Sequence, residues 1–406
     1  MSKGDNNEDL TIGERVRLAR QRRGLSRRAV AELAGRTEEW LRQIETGERP
    51  IQRIDTLQLL ARVLKVRDIS ELTGSLFVMT KDGSRPQHGR LAAVRRALRP
   101  HLSDTTTPSP DLAALRRSIQ HADTAWLVSR QQITALGLVL PELLSAAIAA
   151  QQSATGQQRR EALRLLVEVY RLTDNYLRHA GDRQLAAQVC DRMLLAAQEA
   201  DDPELISLSA YKVAAAAQNN DEPEEALTLA MDAVKLFRPW LTSGDHEALA
   251  LWGSLHLCAS TSAARLRRGA EADRLWSIAD EAAKALGPNY HHPATIFGQL
   301  NCGIHAVDIA LETGRSSDAV ERSANLNVSA VPSASRRARH FIDLARAFYH
   351  CRDRAAAVGA LLTAERQSTE VVTFNQGARR LMYDLLRAKR PEPEVLALAG
   401  RMHVIA

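Results

Sequence analysis

Aromatic residues are scarce in this 406-residue sequence, where Phe, Tyr and Trp together make up 4% of the chain. The β-branched and aromatic runs that typify a large sheet are few, whereas the good helix formers Ala, Leu and Arg dominate. The composition is 45% hydrophobic and 25% charged, which is ordinary for a globular protein with a sizeable core. We therefore predict an all-α protein, and the length suggests two or three domains.

Long apolar runs are also missing. No stretch of 18 consecutive apolar residues occurs, so we predict that no helix spans a membrane. The N-terminal sequence MSKGDNNEDL lacks the apolar segment of a signal peptide. We expect a soluble, cytoplasmic protein.

Sequence motifs for catalysis are absent as well. The chain contains no H-E-x-x-H, no glycine-rich phosphate loop and no G-x-S-x-G. His291-His292 beside Pro293 is typical of a loop rather than of a metal site. Four cysteines lie in apolar helical patterns without a C-x-x-C pair, and we predict that they are buried thiols: Cys190, Cys258, Cys302 and Cys351. We expect no enzyme activity, no metal and no cofactor.

Positive charge is concentrated near the N-terminus. Residues 10–75 contain 14 Lys and Arg against 9 Asp and Glu, and residues 76–118 contain 8 against 3. Beyond residue 118 the balance is 31 against 33. This distribution is typical of a nucleic-acid-binding head on a near-neutral body.

Residues 10–74, which we call the head, carry the pattern of five short helices. Gly24, Gly35 and Gly47 favour helix ends, while Ser26 and Thr37 are suited to capping helix starts. The predicted helices span Ile12–Arg22, Arg27–Ala34, Glu38 to about Thr46, Thr56–Lys65, and a short segment near Ile69–Leu72. The predicted inward residues are Val16, Ala19, Leu25, Val30, Ala31, Leu33, Leu41, Ile44, Leu57, Leu60, Ala61 and Leu64. Two helices joined by a tight glycine turn indicate a helix-turn-helix unit, whose second helix lies in the DNA major groove.

The head resembles the Cro/repressor (XRE) helix-turn-helix family. The stretch GLSRRAVAELAGRTEEWLRQIETGERP carries the resemblance, with Leu25-Ser26, Val30-Ala31, Gly35, Leu41, Ile44-Glu45 and Gly47 in register. Two positions depart from the family pattern, because Arg36 stands where an apolar residue is usual and Arg27 where Gln is usual.

The resemblance implies which side chains contact DNA. Base-contacting positions would be Glu38, Glu39, Arg42 and Gln43. Gln can pair with adenine, and a carboxylate can accept from the cytosine amino group. The two glutamates could equally serve only to favour the positive end of the helix dipole. Phosphate-contacting candidates are Arg15, Arg27, Thr37, Arg49 and Arg53, although a merely solvated arginine is nearly as common at such positions.

A connector follows over residues 75–111. Its first part, KDGSRPQHG, is typical of a loop, and RLAAVRRALRP (Arg90–Pro100) predicts a short basic helix. HLSDTTTPSP, rich in Ser, Thr and Pro, indicates a flexible linker.

Residues 112–406, the body, show a weak repeat of helix pairs. Turns begin at Gly181, Asp221, Gly269, Gly314 and Arg352, and the residues five positions later are 186, 226, 274, 319 and 357. These positions are 38–48 residues apart, and small residues follow the turns. The pattern favours an α-solenoid of lengthened tetratricopeptide-like repeats. The alternative is an irregular helical bundle. Trp126 and the segment from Leu136 to Leu144 resemble the opening of actinobacterial XRE regulators with tetratricopeptide-like bodies.

A helix-turn-helix head on such a body is similar to the RRNPP receptors. That resemblance implies a homodimeric transcriptional regulator that binds a pseudo-palindromic operator in double-stranded DNA. It also implies that the repeats bind a signalling peptide or a small molecule. Candidate ligand residues are Asn175, Tyr176, Tyr211, Trp252, His256 and Asn301. An alternative is a DNA-binding regulator whose body only dimerises or docks a protein, without a small ligand.

Overall fold

The computed structural model describes residues 10–48, 51, 54–66, 72, 77–79, 86–99, 111–238, 241, 244–388 and 391–405. These residues form twenty α-helices and one small two-stranded sheet, which confirms the all-α prediction. Contacts divide the chain into two compact units, one of residues 1–89 with 379–406 and one of residues 90–378.

The first unit begins with the predicted helices of the head. They are α1 (Ile12–Arg22), α2 (Arg27–Leu33), α3 (Glu38–Glu45) and α4 (Ile54–Val63). Thr11, Ser26 and Thr37 precede the first three, and each side chain accepts a hydrogen bond from the backbone N–H three residues further on. Of the predicted fifth helix only Leu72 lies within the described residues, and it is fully buried.

The core of the head forms from the stripes that the sequence predicts, with one exception. The buried cluster contains most of the predicted inward set: Val16, Val30, Ala31, Leu41, Ile44, Leu57, Leu60, Ala61 and Leu64. Leu33 was expected there and is instead 64% exposed, because α2 turns Val30, Ala31 and Ala34 toward the core. Leu33 therefore falls outside the buried stripe.

Gly13 sets the distance between α1 and α3. A Cβ atom at this position would lie 2.2 Å from the carbonyl oxygen of Ile44, at the end of α3. Only glycine permits so close an approach of two backbones. This residue therefore fixes how α1 supports the exposed helix.

The connector contains more regular structure than predicted. Strands β1 (Phe77–Met79) and β2 (Pro86–His88) pair antiparallel, so the prediction of a loop over KDGSRPQHG is wrong for its last part. The basic helix is present as α5 (Leu91–Ala97) and belongs to the second unit. There Arg95 pairs with Asp182 at 2.7 Å. Residues 101–110, the predicted linker, lie outside the described residues.

The second unit continues as a series of helices joined mostly by short turns. They are α6 (Leu112–Val128), α7 (Gln132–Ser153), α8 (Gly156–Ala180), α9 (Arg183–Glu199), α10 (Pro203–Asn219), α11 (Pro223–Phe237), α12 (His246–Arg265), α13 (Gly269–Leu286), α14 (Gln299–Glu312), α15 (Ser316–Ala324), α16 (Ala334–His350), α17 (Arg354–Gln367) and α18 (Thr369–Phe374). The chain ends with α19 (Gln376–Leu386) and α20 (Pro393–Arg401), and a short 3-10 helix, Val328–Ala330, precedes α16.

Five helix pairs, from α8/α9 to α16/α17, repeat one turn geometry. Each turn has a residue of positive φ two positions before the second helix: Gly181, Asp221, Arg267, Gly314 and Arg352. Each second helix places an alanine that is at most 1% exposed at its fourth position: Ala186, Ala226, Ala272, Ala319 and Ala357. The predicted position 274 is thus corrected to 272, because Arg274 lies two residues past the close helix contact. The solenoid prediction is confirmed.

The repeats exceed the usual tetratricopeptide length because helices and one loop are extended. Helix α8 has 25 residues and α12 has 20. In the loop between α13 and α14, Nδ1 of His292 accepts from the N–H groups of Ala294 and Thr295, and its Nε2 lies 3.1 Å from Glu247. His292 thus organises a loop, as its neighbour Pro293 suggested.

The last helices of the second unit contact the first ones. The carboxylate of Glu370, on α18, accepts from the backbone N–H of Ile133 at 2.7 Å and from the hydroxyl and N–H of Thr134, at the start of α7. Ser368 donates to the carbonyl of Arg130 at 3.1 Å. These hydrogen bonds join the segments that flank the five helix pairs in sequence.

One apolar helix and one cysteine bear on the expectations from composition. Among the described residues one helix, α7, is long and apolar enough to cross a membrane by length and composition alone. Scattered polar residues interrupt its apolar sequence, but they lower its mean hydropathy only slightly. It packs against α5, α6 and α8. Cys190, Cys258 and Cys302 are buried as predicted, but Cys351 is exposed because it follows the last residue of α16 in a turn.

Candidate nucleic-acid interface and ligand cavity

Helix α3 is the exposed second helix of the helix-turn-helix unit. Gly35 takes a φ of 62° in the turn before it, and Thr37 caps its first residues. Leu41 and Ile44 face the core, and Trp40 packs against that core from a partly buried position. This leaves Glu38, Glu39 and the residues one turn later on the outer face.

A buried carboxylate fixes α3 against the two preceding helices. The side chain of Glu45 is fully buried, and it accepts from Nε and Nη2 of Arg20 at 2.6 and 3.0 Å. Nε of Arg27 donates to the same carboxylate at 2.8 Å. Although burial opposes ionisation, these two arginines keep the pKa of Glu45 below its usual value. Arg27, predicted to contact phosphate, thus also holds the fold.

Three of the four predicted base-contacting side chains, Glu39, Arg42 and Gln43, are bound to one another. Arg42 donates to Glu39 at 2.8 and 2.9 Å and to Glu48 at 2.7 and 2.8 Å. Gln43 donates to Glu39 at 3.2 Å. Hydrogen bonds from Arg42 lower the pKa of both glutamates. In this arrangement Arg42 faces carboxylates that DNA phosphates or bases would have to replace.

The remaining phosphate candidates differ in their placement. Arg15 is 7% exposed, and its Nε donates to the carbonyl of Leu10 at 2.9 Å. This burial does not favour the predicted contact of Arg15 with phosphate. The Thr37 hydroxyl is exposed and accepts from the N–H of Trp40. Arg49 and Arg53 lie outside the described residues.

A polar cavity of about 160 Å³ lies in the second unit. Its walls come from the first helices of all five pairs, α8, α10, α12, α14 and α16, together with Ala294 and Thr295 of the long loop. Successive first helices contact one another, so the cavity lies along a continuous inner wall. Such a surface is where helical-repeat proteins present binding sites.

Three of the six predicted ligand residues line this cavity: Asn175, Tyr211 and Asn301. The other three do not. Tyr176 is fully buried and packs on Gly137, where a Cβ atom would lie 2.8 Å from its ring. His256 is 3% exposed, and its Nδ1–H donates to the carbonyl of Trp252 at 3.0 Å. These side chains belong to the packing between helices.

Asn175 is part of a buried ionic network at one side of the cavity. Lys212 donates to Asp174 at 2.9 Å and to the Asn175 oxygen at 2.8 Å. Arg178 also donates to that oxygen at 2.9 Å and pairs with Asp174 at 3.1 Å. The amide oxygen of Asn175 is therefore already occupied, and its role is to position two cations.

A second carboxylate cluster of the cavity lies on α14 and α16. Asp343 accepts from Arg339 at 3.0 Å and from Arg346 at 3.2 Å, which lowers its pKa against the effect of burial. Burial, and then the charge of Asp343, raise the pKa of Asp308 to about 6. The charge of Glu312 also raises this pKa, whereas the charges of Arg339 and Arg265 lower it. Burial and the nearby arginines lower the pKa of His305 to about 3, so this histidine is neutral.

The charged lining is not among the ligand residues that the sequence predicts, which are mainly amides and aromatics. The signal was present in α16, where Arg336, Arg339 and Asp343 recur at helical spacings of three and four residues. Charges at such spacings usually mark a solvent-exposed face. Only the repeat geometry shows that this face points inward.

Comparison with known sequences supports the N-terminal assignment. A family of helix-turn-helix domains matches residues 11–72, which contain α1 to α4. The N-terminal segment is therefore a helix-turn-helix DNA-binding domain. No curated protein is significantly similar to the chain.

Solved helical-repeat structures are similar to larger parts of the chain at low identity. BtubC (BKLC) from P. vanneervenii is 16% identical with a TM-score of 0.36, over 69% of this chain and 95% of that one. A Podospora anserina protein with nearly identical TPR-like repeats is 17% identical with a TM-score of 0.34, over 50% and 93%. Bacillus thuringiensis PlcR, solved with the peptide PapR7 and DNA, is 15% identical with a TM-score of 0.30, over 68% and 95%.

Proposed function

We propose that this chain is a dimeric, sequence-specific transcriptional regulator whose helical repeats sense a peptide or a small molecule. The observation that carries the proposal is the helix-turn-helix domain, with its capped and exposed α3, joined in one chain to a repeat unit that contains a polar inner cavity. The proposal assigns no catalysis, and it places the protein in the cytoplasm with its operator DNA.

The exposed face of α3 supports specific recognition. Gln43 and Arg42 are side-chain types that read adenine and guanine in the major groove. The carboxylates of Glu39 and Glu48 hold Arg42 in a defined position before DNA is present. Base specificity would then depend on which base edges form hydrogen bonds that compensate for the loss of those ion pairs.

Dimerisation is proposed because one helix-turn-helix unit covers only one half-site. Operator-grade affinity normally needs two units, with half-sites about one helical turn or a multiple apart. A two-fold dimer would then read a pseudo-palindromic site. Light scattering at micromolar concentration, with and without operator DNA, tests this proposal, and a monomer in both conditions contradicts it.

Ligand sensing is proposed from the inner cavity, where helices from five repeats meet. A ligand bound there lies among helices from several repeats, so it can favour one curvature of the array over another. It changes DNA affinity only to the extent that it binds the two conformations unequally, and a coupling of about 1–3 kcal/mol is typical. In the alternative without ligand sensing, no compound bound in the cavity changes operator affinity.

Fluorescence anisotropy with the Gln43→Ala variant tests the DNA-binding proposal. Loss of the Gln43 amide should weaken binding to the selected site by about 1–3 kcal/mol and relax one base position per half-site. Gln21→Ala, an exposed change on α1, is the matched control. Arg27→Ala is less informative, since Arg27 also pairs with Glu45. Equal affinity of the parent for all sequences would contradict a specific regulator.

A further inference from the structure

The cavity contains more cations than its carboxylates neutralise. Lys212 and Arg178 share Asp174, and Arg339 pairs with Asp343. Each of these contacts is 3.1 Å or shorter, so the three cations are compensated within the wall. They form the rigid part of the site.

Neither Arg336 nor Arg265 forms a direct ion pair with a carboxylate among the residues that the structure describes, although the charge of Arg265 acts on nearby Asp308. Arg336 donates to the carbonyl of Thr295 at 3.4 Å and also bonds Tyr211. Arg265 donates to the carbonyl of Gln218 at 2.7 Å. Both arginines are partly buried, and neutral acceptors only partly compensate a partly buried guanidinium. Arg336 also lies near Arg178 and Arg339, and burial lowers its pKa.

The same cavity contains acceptors without donors. Oδ1 of Asn301 and Oδ1 of Asp308 are inaccessible to solvent and have no hydrogen-bond partner in the structure. Asn301 as a whole is 4% exposed and lies inside α14, where Asn is otherwise unfavourable. Buried polar atoms are normally hydrogen-bonded, so an unsatisfied one in a cavity wall indicates a missing donor.

We infer that the cavity binds a small organic anion, whose carboxylate or phosphate group contacts Arg336 and Arg265 and whose N–H donor contacts Asn301. This inference rests on the proposed sensing function and specifies the chemistry of its ligand. The guanidinium fork of arginine matches the two oxygens of a carboxylate or phosphate. Arg336, Arg265 and Asn301 come from three helices, α16, α12 and α14, so a ligand joins three repeats.

The volume of the cavity limits the ligand further. At about 160 Å³ it is close to a protein cavity of about 150 Å³ that holds one benzene molecule. The buried part therefore has the size of one amino acid or a small acid. A peptide would place its terminal residue there, with the free carboxylate inward, and the rest of the chain outside.

Calorimetry on the full chain tests the inference with three probes: a tripeptide pool with free C-termini, the same pool amidated, and inorganic phosphate. We expect binding of the free acids or of phosphate, and binding of the amidated pool at least about tenfold weaker. Free acids binding more tightly than phosphate identify a carboxylate ligand, and the reverse order identifies a phosphorylated one. Equal binding of both peptide pools, or no binding of any probe at about 1 mM, overturns the inference.

Variants separate binding from folding. Arg336→Gln should weaken anion binding about 10- to 100-fold, and Arg336→Lys, which keeps the charge but loses the fork, should weaken it less. Arg336→Gln should leave the melting temperature unchanged or higher, because it removes an unpaired guanidinium beside two others. Arg366→Gln, an exposed change on α17, is the matched control. Unchanged anion affinity in a folded Arg336→Gln protein overturns the inference.

Operator binding in the presence of the saturating probe distinguishes the two proposals. A change in DNA affinity that Arg336→Gln abolishes supports both. Anion binding without any change in DNA affinity removes the sensing function and leaves the anion site. A change in DNA affinity caused equally by the amidated pool leaves the sensing function and removes the anion site.

Discussion

The helix-turn-helix domain and the repeat unit use charged side chains in opposite ways. In the domain, one carboxylate, Glu45, is buried between arginines, and the ion pairs of Arg42 and Arg28 lie at the surface. In the repeat unit, Asp174 and Asp343 are at most 4% exposed and organise networks around a cavity. Exposed pairs add little to stability, whereas a buried pair that loses one partner leaves a costly unpaired charge.

This difference separates folding from function in the two regions. The surface charges of the domain are free to exchange partners when DNA arrives, because releasing them costs little. The inner charges of the repeats are fixed in place, so they can form a site of defined geometry before a ligand binds. Substitutions should therefore affect mainly recognition in the first case, and folding and recognition together in the second.

Among these substitutions, Asp174→Ala should have the largest effect on the free energy of unfolding. Asp174→Ala removes the partner of Lys212, which is 4% exposed, and of Arg178. Uncompensated burial of these cations should lower the free energy of unfolding by about 3–5 kcal/mol. Chemical denaturation, with hydrogen exchange in α8 and α10, measures this effect. The control Asp232→Ala removes an exposed pair with Lys235 and should change stability by less than about 0.5 kcal/mol. Similar losses in both variants would contradict the distinction between buried and exposed pairs.

A smaller loss is expected at Glu45, a buried carboxylate of the domain. Glu45→Gln keeps the shape but weakens three hydrogen bonds from Arg20 and Arg27, and should destabilise α1 to α3 by about 2–3 kcal/mol. Hydrogen exchange resolves the domain from the repeats. Glu32→Gln, in an exposed pair with Arg28, is the control. Unchanged protection of α1 to α3 would show that Glu45 does not hold them together.

Asp308 should make the repeat unit more stable in acid. Its pKa is raised to about 6, so the folded state binds a proton more tightly than the unfolded state. The contribution of Asp308 to the free energy of unfolding is therefore most favourable below about pH 4, and this advantage is lost as the pH rises through about 6. Asp308→Asn should be more stable than the parent by about 1–2 kcal/mol at pH 7, with no advantage below about pH 4.

Denaturation midpoints at several pH values measure the effect of Asp308. Asp318→Asn, on the exposed side of α15, is the control. An advantage of Asp308→Asn that is constant with pH would mean that Asp308 is ionised throughout the range.

The fold was predictable because it depends on local signals. Capping residues such as Ser26 and Thr37, the glycine turns and the alanine after each repeat turn report on backbone geometry within a few residues of themselves. The predicted close helix contact at position 274 is wrong for a related reason. Arg267, not a glycine, takes the positive φ in that turn, so the turn begins two residues earlier than Gly269 suggests.

The cavity was only partly predictable because its residues are far apart in sequence. Arg178, Arg265 and Arg336 lie on α8, α12 and α16, and nothing local distinguishes them from solvated arginines. Asn301 was recognised because Asn is unfavourable within a helix. Tyr176 was misplaced because the sequence does not show that its ring packs on Gly137.

The smallest expected effect sharpens the contrast at the surface of the domain. Glu48→Gln removes one of the two carboxylates that bind Arg42, whose pair with Glu48 is exposed on both sides. Such an exposed pair contributes little to stability, so freeing Arg42 should raise affinity for DNA up to about fivefold, with a steeper salt dependence and unchanged thermal stability. Anisotropy titrations at two salt concentrations measure both quantities. Glu32→Gln changes the net charge of the domain equally, but its carboxylate pairs with Arg28 on α2. If both variants gain the same affinity, net charge alone explains the gain. If only Glu48→Gln gains, the carboxylates around Arg42 restrain a side chain that contacts DNA.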